Sequence, residues 1–182
     1  MMRSRKKVEN LVVHEIGVHM LRSITGGETN ILPLKYGLSG YYDTEEGLGV
    51  VMEQALSGKF AERGVDHYIT AGLAHFDNKD FREAFEIKWR LSLLGSVDDE
   101  SEVSDEQIVK AKKTAFTQTL RSFRGTNDMP LFKDLSYYNG SVEVWKYLES
   151  VKGDDLLLSL LLAGKVNTSA DHRRVILESK SV

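Results

Sequence analysis

Apolar residues recur at three- and four-residue spacing along most of the chain, which predicts a mainly α protein. The first such stretch, residues 6–21, carries Val8, Leu11, Val12, Gly17 and Met20 among good helix formers. Residues 23–33 read as a loop, punctuated by Gly26, Gly27, Asn30 and Pro33. Residues 35–42 are Gly- and Tyr-rich and irregular, with room for a short strand. Asp43 or Thr44 then offers an N-cap, Glu45 and Glu46 fall in the first turn, and Gly58 is placed to end that helix. Two helices follow over 65–75 and 80–94, then an acidic loop over 96–102. Ser104 opens a long helix to residue 123, with Ile108, Ala111, Ala115 and Leu120 on one side. Residues 125–130 break the pattern, and 131–139 read as extended. Two helices over 141–151 and 154–163 follow, punctuated by Gly153 and Gly164. The division this suggests is one core over 1–166 and a polar tail over 167–182.

Composition narrows the class without naming a function. With 182 residues, 41% hydrophobic and 28% charged, the chain can bury one proper core. A net charge of -3 gives no footing for nucleic acid or an anionic membrane as partner. The absence of cysteine excludes disulfides and thiolate metal sites, so any metal must be held by His and carboxylates. The most apolar run, 156–163, is interrupted by Ser159 and falls short of the ~20 residues that span a bilayer. The basic start (Arg3, Arg5, Lys6, Lys7) precedes too short an apolar run for a secretory signal, so the expected placement is cytoplasmic.

The chemistry concentrates in His14-Glu15-Ile16-Gly17-Val18-His19. Zincin helices set two histidines at i and i+4, with a Glu beside the first as general base. Here the spacing is i and i+5, and on a regular helix five residues separate two side chains by ~140°. One tetrahedral ion cannot bridge that angle, so the helix must widen by a residue, as a π-bulge does, and Gly17 would ease it. A catalytic zinc needs three protein ligands and an open position for water. Thr44-Glu45-Glu46-Gly47-Leu48-Gly49 offers two carboxylates for the third place. Gly47 and Gly49 weaken a helix there, which close approach to another helix or to a metal would explain. The competing readings are plain: histidines are often surface or core residues, and Asp43-x-x-Glu46 has capping-box spacing. A second polar cluster holds Arg121, Arg124, Lys133, Tyr137 and Tyr138. Arginine suits a carboxylate and a tyrosine hydroxyl an oxyanion, against the alternative of cations at a helix C-terminus.

Several segments, in order, resemble the family of microtubule-associated tyrosine carboxypeptidases and their bacterial QEGLA-motif relatives. They are His14 to Arg22, Tyr36-Gly37-Leu38, Thr44-Glu45-Glu46-Gly47-Leu48, Arg124-Gly125 and Leu162-Ala163-Gly164-Lys165-Val166, so the similarity spans residues 7–166. The resemblance implies a mainly α, zincin-like metallopeptidase core: a zinc metallocarboxypeptidase releasing a C-terminal residue, tyrosine from a tubulin tail in the animal members. It implies His14, His19 and Glu46 as Zn2+ ligands and Glu15 as the base. It implies basic residues that read the substrate's terminal carboxylate, for which Arg121, Arg124 and Lys133 are candidates, with Tyr138 beside them. Members of the family are about twice as long, so the core is expected to be incomplete. The alternative is then a zinc- or partner-binding remnant, associated with a missing N-terminal part or another chain.

Overall fold

A computed structural model describes residues 4–60, 64–96 and 102–179, and among them it is helical without a strand. The first helical pattern runs further than its apolar residues suggest. Helix α1 (Arg5–His14) passes through a π-helical turn (Glu15–Met20) straight into α2 (Leu21–Gly27). The widened turn demanded by the i,i+5 histidines is therefore present. Short α3 (Pro33–Tyr36) replaces the irregular start of 35–42, helped by Pro33, whose fixed φ suits a first helical turn.

Helix α4 (Tyr41–Ser57) is capped at Gly40, with φ 72°, rather than at Asp43 or Thr44. Asp43 and Glu46 therefore both lie inside the helix, and the capping-box reading of Glu46 lapses. Gly58 closes α4 in the left-handed region at φ 61°, as its position predicts.

The chain divides into two compact units. The first holds residues up to Glu62 and from Ser136 onward, so it contains α1 to α4, most of α8 (Lys133–Ser150), α9 (Asp155–Leu160) and α10 (Ala170–Ser179). Its main core joins the π-turn, α4 and α8 through Val18, Leu48, Val51, Val144, Tyr147 and Val151. Burying each such side chain contributes roughly 1.5–3 kcal/mol. Helices α4 and α8 touch backbone to backbone: a Cβ on Gly47 would run into the Gly140 carbonyl, and one on Gly140 into the Asp43 carbonyl. Gly140 sits inside α8, where only glycine allows that approach. Residues 133–139, within the stretch expected as extended, are helical and form the start of α8.

Two further differences concern the C-terminal third. The helix expected over 154–163 stops at Leu160, and the following residues turn so that the Gly164 and Val166 carbonyls face Arg22. The segment expected as a polar tail carries α10, and Ile176 is fully buried with Leu34, Leu160 and Val166.

The second unit, Arg63–Leu135, packs α5 (Val65–Phe76), α6 (Phe81–Leu94) and α7 (Asp105–Phe123) around Ala74, Ala84 and Phe123. Asp80 with Glu83 and Ser104 with Gln107 form complete capping boxes at the starts of α6 and α7. Buried Lys88 is neutralised by Asp66. Of the acidic loop expected over 96–102, residues 97–101 lie outside the described residues, as does Arg3. No described helix is long and apolar enough to cross a membrane.

Candidate metal centre

Widening the helix by one residue brings both histidines of the motif to one side. The His14 and His19 rings meet edge to face, with centroids 4.8 Å apart. Val18, between them, is fully buried and anchors the π-turn in the main core. From α4, Glu46 reaches across to the pair. Its Oε2 lies 3.4 Å from His14 Nε2 and 3.9 Å from His19 Nε2. One ligand atom from each of the three residues lies within 4.8 Å of the others. His14 and Glu46 are buried and His19 is half-buried. One turn along α4, Gly49 makes room for the His14 ring: a Cβ there would sit 2.5–2.7 Å from three ring atoms. Of the two tight glycines near Glu46, Gly47 thus serves a helix crossing and Gly49 the site.

The far side of each ring is held as well. His14 Nδ1 lies 2.8 Å from Glu53 Oε1, and His19 Nδ1 lies 3.0 Å from Glu45 Oε1. Each imidazole therefore has a carboxylate on Nδ1, which directs Nε2 to the same point as the Glu46 oxygen. A carboxylate behind a histidine is the usual means of fixing a metal ligand's tautomer and orientation. Glu45 is also paired with fully buried Arg22 and with Lys165, whose Nζ is 3.1 Å from Oε1.

The electrostatics match a place for a cation. Burial opposes charge on His14, but the Glu46 and Glu53 carboxylates outweigh it and push its pKa up to about 9. Burial likewise opposes charge on Glu45, yet His19, Arg22 and Lys165 hold its carboxyl below the ordinary carboxylate range. A proton on His14 and a metal ion on its Nε2 compete for the same negative surroundings. Two imidazole nitrogens and one carboxylate oxygen, with the other ring nitrogens already spoken for, form a donor set that fits a divalent ion with an open position.

Glu15 opens the π-turn directly after His14 and is exposed to solvent. Tyr137, from α8, places its ring 6.5 Å from that of His14. Tyr138 beside it is half-buried in the same unit. Arg121, Arg124 and Lys133 belong to the second unit. There the Arg121 fork grips buried Asp134, with Nη2 and Nε 2.9 and 3.1 Å from Oδ1. Arg124 caps α7 in the left-handed region at φ 52°, and Lys133 opens α8; both are exposed.

The sequence pointed to the three clustered residues and offered Glu45 only as an alternative ligand, not as the group behind His19. Glu53 carried a signal: Glu46, Gly49 and Glu53 follow i, i+3, i+7 spacing and so share one stripe of α4. Arg22 and Lys165 fall in segments that carry the family resemblance, but no local pattern ties them to Glu45, because their meeting depends on segments far apart in the chain.

Among protein families, the model described as microtubule-associated tyrosine carboxypeptidase matches residues 1–89 and 102–179, which is most of the chain. No curated protein and no solved structure matches it.

Proposed function

The chain belongs to the microtubule-associated tyrosine carboxypeptidase family, and from that premise we propose that it hydrolyses the C-terminal peptide bond of a peptide or protein with the help of a zinc ion. His14, His19 and Glu46 would hold the ion, and the observation that carries this is their convergence with a carboxylate behind each ring. Zinc in such a set polarises a carbonyl and lowers the pKa of a water towards ~7. Glu15 is the general base: it takes a proton from the attacking water and delivers it to the leaving amine nitrogen. The peptide C–N bond breaks as the new C–O bond forms, and no redox partner is needed. A tyrosine-ending protein tail, such as that of tubulin, is the substrate the family description suggests. Arg124 and Lys133 are proposed to read the terminal carboxylate ahead of Arg121, whose fork Asp134 engages. Tyr138 is proposed as an oxyanion donor.

The test has two stages. Elemental analysis at neutral pH should find about one zinc per chain, lost in His14→Ala. Peptides ending in Tyr, Phe or Gly are then incubated with the zinc-loaded protein, and release is followed by mass spectrometry. Glu15→Gln should keep the zinc and lose activity by about 10²–10⁴-fold. A protein that takes up no zinc under any loading condition would sink the assignment.

One observation favours a second reading, a zinc- or partner-binding protein without turnover. Val8, Leu11, Val12, Ile16, Met20 and Ile24, along the helix that bears the histidines, are all exposed. Apolar faces of that extent mark surfaces that another polypeptide covers. Wild type and Glu15→Gln that are equally silent while zinc is bound would favour this reading over the enzyme.

A further inference from the structure

Two adjacent carboxylates reach the same histidine. Glu45 and Glu46 are consecutive on α4, each only 3% exposed, and each approaches His19 at a different ring nitrogen. Glu45 lies at Nδ1 and Glu46 at Nε2, so a released Glu45 carboxylate is close enough to swing to the metal side of the ring and join Glu46 there. We propose that Arg22 and Lys165 are positioning residues that prevent this intrusion. They hold Glu45 behind His19, so that Glu46 alone supplies the carboxylate ligand and the fourth position stays open to water. The proposal rests on the metal-site reading above.

Every part of the clamp is visible. Glu45 Oε1 meets both His19 Nδ1 at 3.0 Å and Lys165 Nζ at 3.1 Å, and its Oε2 meets Arg22 Nη1. Both oxygens are therefore taken. Arg22 is itself fixed: it is fully buried, its Nε donates to the Gly164 carbonyl at 3.0 Å, and its Nη2 donates to the Val166 carbonyl. A buried guanidinium is tolerated only when its donors and its charge are matched, so Arg22 needs Glu45 as much as Glu45 needs Arg22. Arg22 sits three residues past His19, about one helical turn, so one helix carries both the ligand and the clamp on its outer carboxylate. Lys165 reaches in from the turn after α9 and also lies over the Tyr41 ring. Charge points the same way: around the two rings the Glu45, Glu46 and Glu53 carboxylates outnumber the Arg22 and Lys165 cations, which favours a cation between them.

The test uses cobalt(II), whose visible bands are intense in four-coordinate sites and weaken when a further ligand enters. Wild type should bind cobalt with four-coordinate bands. Arg22→Met should bind it about 10–100-fold more weakly, with weaker bands as Glu45 enters the coordination sphere. Lys165→Met should change both in the same direction. The double variant Arg22→Met/Glu45→Gln should regain four-coordinate bands, because the intruding carboxylate is gone. A purely structural Arg22 would give neither the spectral change nor its reversal. If circular dichroism shows that Arg22→Met does not fold, Lys165→Met, on a side chain that is not fully buried, decides the matter. Wild-type affinity and bands in the folded variants would overturn the clamp and leave the metal site standing. Absence of cobalt binding in wild type would overturn both.

Discussion

Two glycines three ångströms of helix apart on α4 should fail in opposite ways when replaced by alanine. At Gly49 the added Cβ would lie 2.5–2.7 Å from three His14 ring atoms. Ordinary contact needs about 3.5 Å, so the ring must retreat by roughly 1 Å. It can, because it is a side chain. Alanine contributes up to about 1 kcal/mol to a helix relative to glycine, against about 1–3 kcal/mol for overpacking. The metal-free Gly49→Ala protein should therefore unfold within about 2 kcal/mol of wild type. Metal binding has far less tolerance, since ligand distances must hold to about 0.2 Å. The displaced ring also loses its 2.8 Å contact with Glu53, so affinity should fall by at least about 100-fold. At Gly47 the obstacle is the Gly140 backbone, which cannot swing aside. Gly47→Ala must pry α4 from α8, opening the core at Leu48, Val51 and Val144, at a loss of about 3 kcal/mol or more. Urea unfolding without metal, paired with zinc titration of whatever remains folded, separates the two. Wild-type zinc affinity in Gly49→Ala would show that the His14 pose described here is not the metal-binding one.

Two other outcomes follow from the charges. In the metal-free protein His14 titrates at about 9, above the ~6.5 of an unfolded chain. Its contribution to stability is thus fully present below pH ~6.5 and is lost as pH rises through 9, by at most about 3 kcal/mol. Urea midpoints at pH 6 and 9.5 should show that loss in wild type and a flatter profile in His14→Asn; equal slopes would refute it. In the second unit, Asp66→Ala strands buried Lys88, but the Asp66 side chain is 62% exposed and its attraction is screened. The expected loss is about 1–2 kcal/mol, below the 3–5 kcal/mol of a fully buried pair, and Lys88→Met should cost less than Asp66→Ala.

What the sequence disclosed and what it hid divide along the range of the interactions. Local rules placed the start of α7 at Ser104 and the stop of α4 at Gly58, because each depends on a few neighbouring residues. The His14–His19 spacing disclosed a distorted helix by geometry alone. Local pattern made Glu46 legible as one of two choices; the family resemblance alone singled it out, and local pattern could not make the choice. It depends on where Glu45 finds its partners, and Lys165 lies 120 residues away. Residues 131–139 misled because Ser136, Tyr137, Tyr138 and Asn139 have weak helix propensity, while the approach of α8 to α4 is made just beyond them, at Gly140. The short apolar pair Val175 and Ile176 gave too little periodicity to show α10, whose burial is supplied by Leu34, Leu160 and Val166.

The π-turn itself leads to the sharpest test of the site's geometry. An inserted residue in an α-helix leaves both flanking helices in phase and adds one widened turn between them. Deleting Gly17 should then restore a regular helix through the site without rotating α2 or uncovering Val18. The histidines would become i and i+4, only ~40° apart on a regular helix, which is the spacing that zincin helices use. Nothing packs tightly against Gly17: a Cβ there would meet only a Val13 methyl at 4.0 Å. The glycine therefore eases the backbone and fills no steric need. The deletion variant should keep zinc affinity within about tenfold of wild type, comparable to the loss of a single outer contact. Inserting an alanine after Gly17 instead makes the spacing i and i+6, widens the turn further and should abolish binding. If the deletion proved as damaging as His19→Ala, the two rings would need more from the π-turn than their shared side, and its role would extend to setting their tilt.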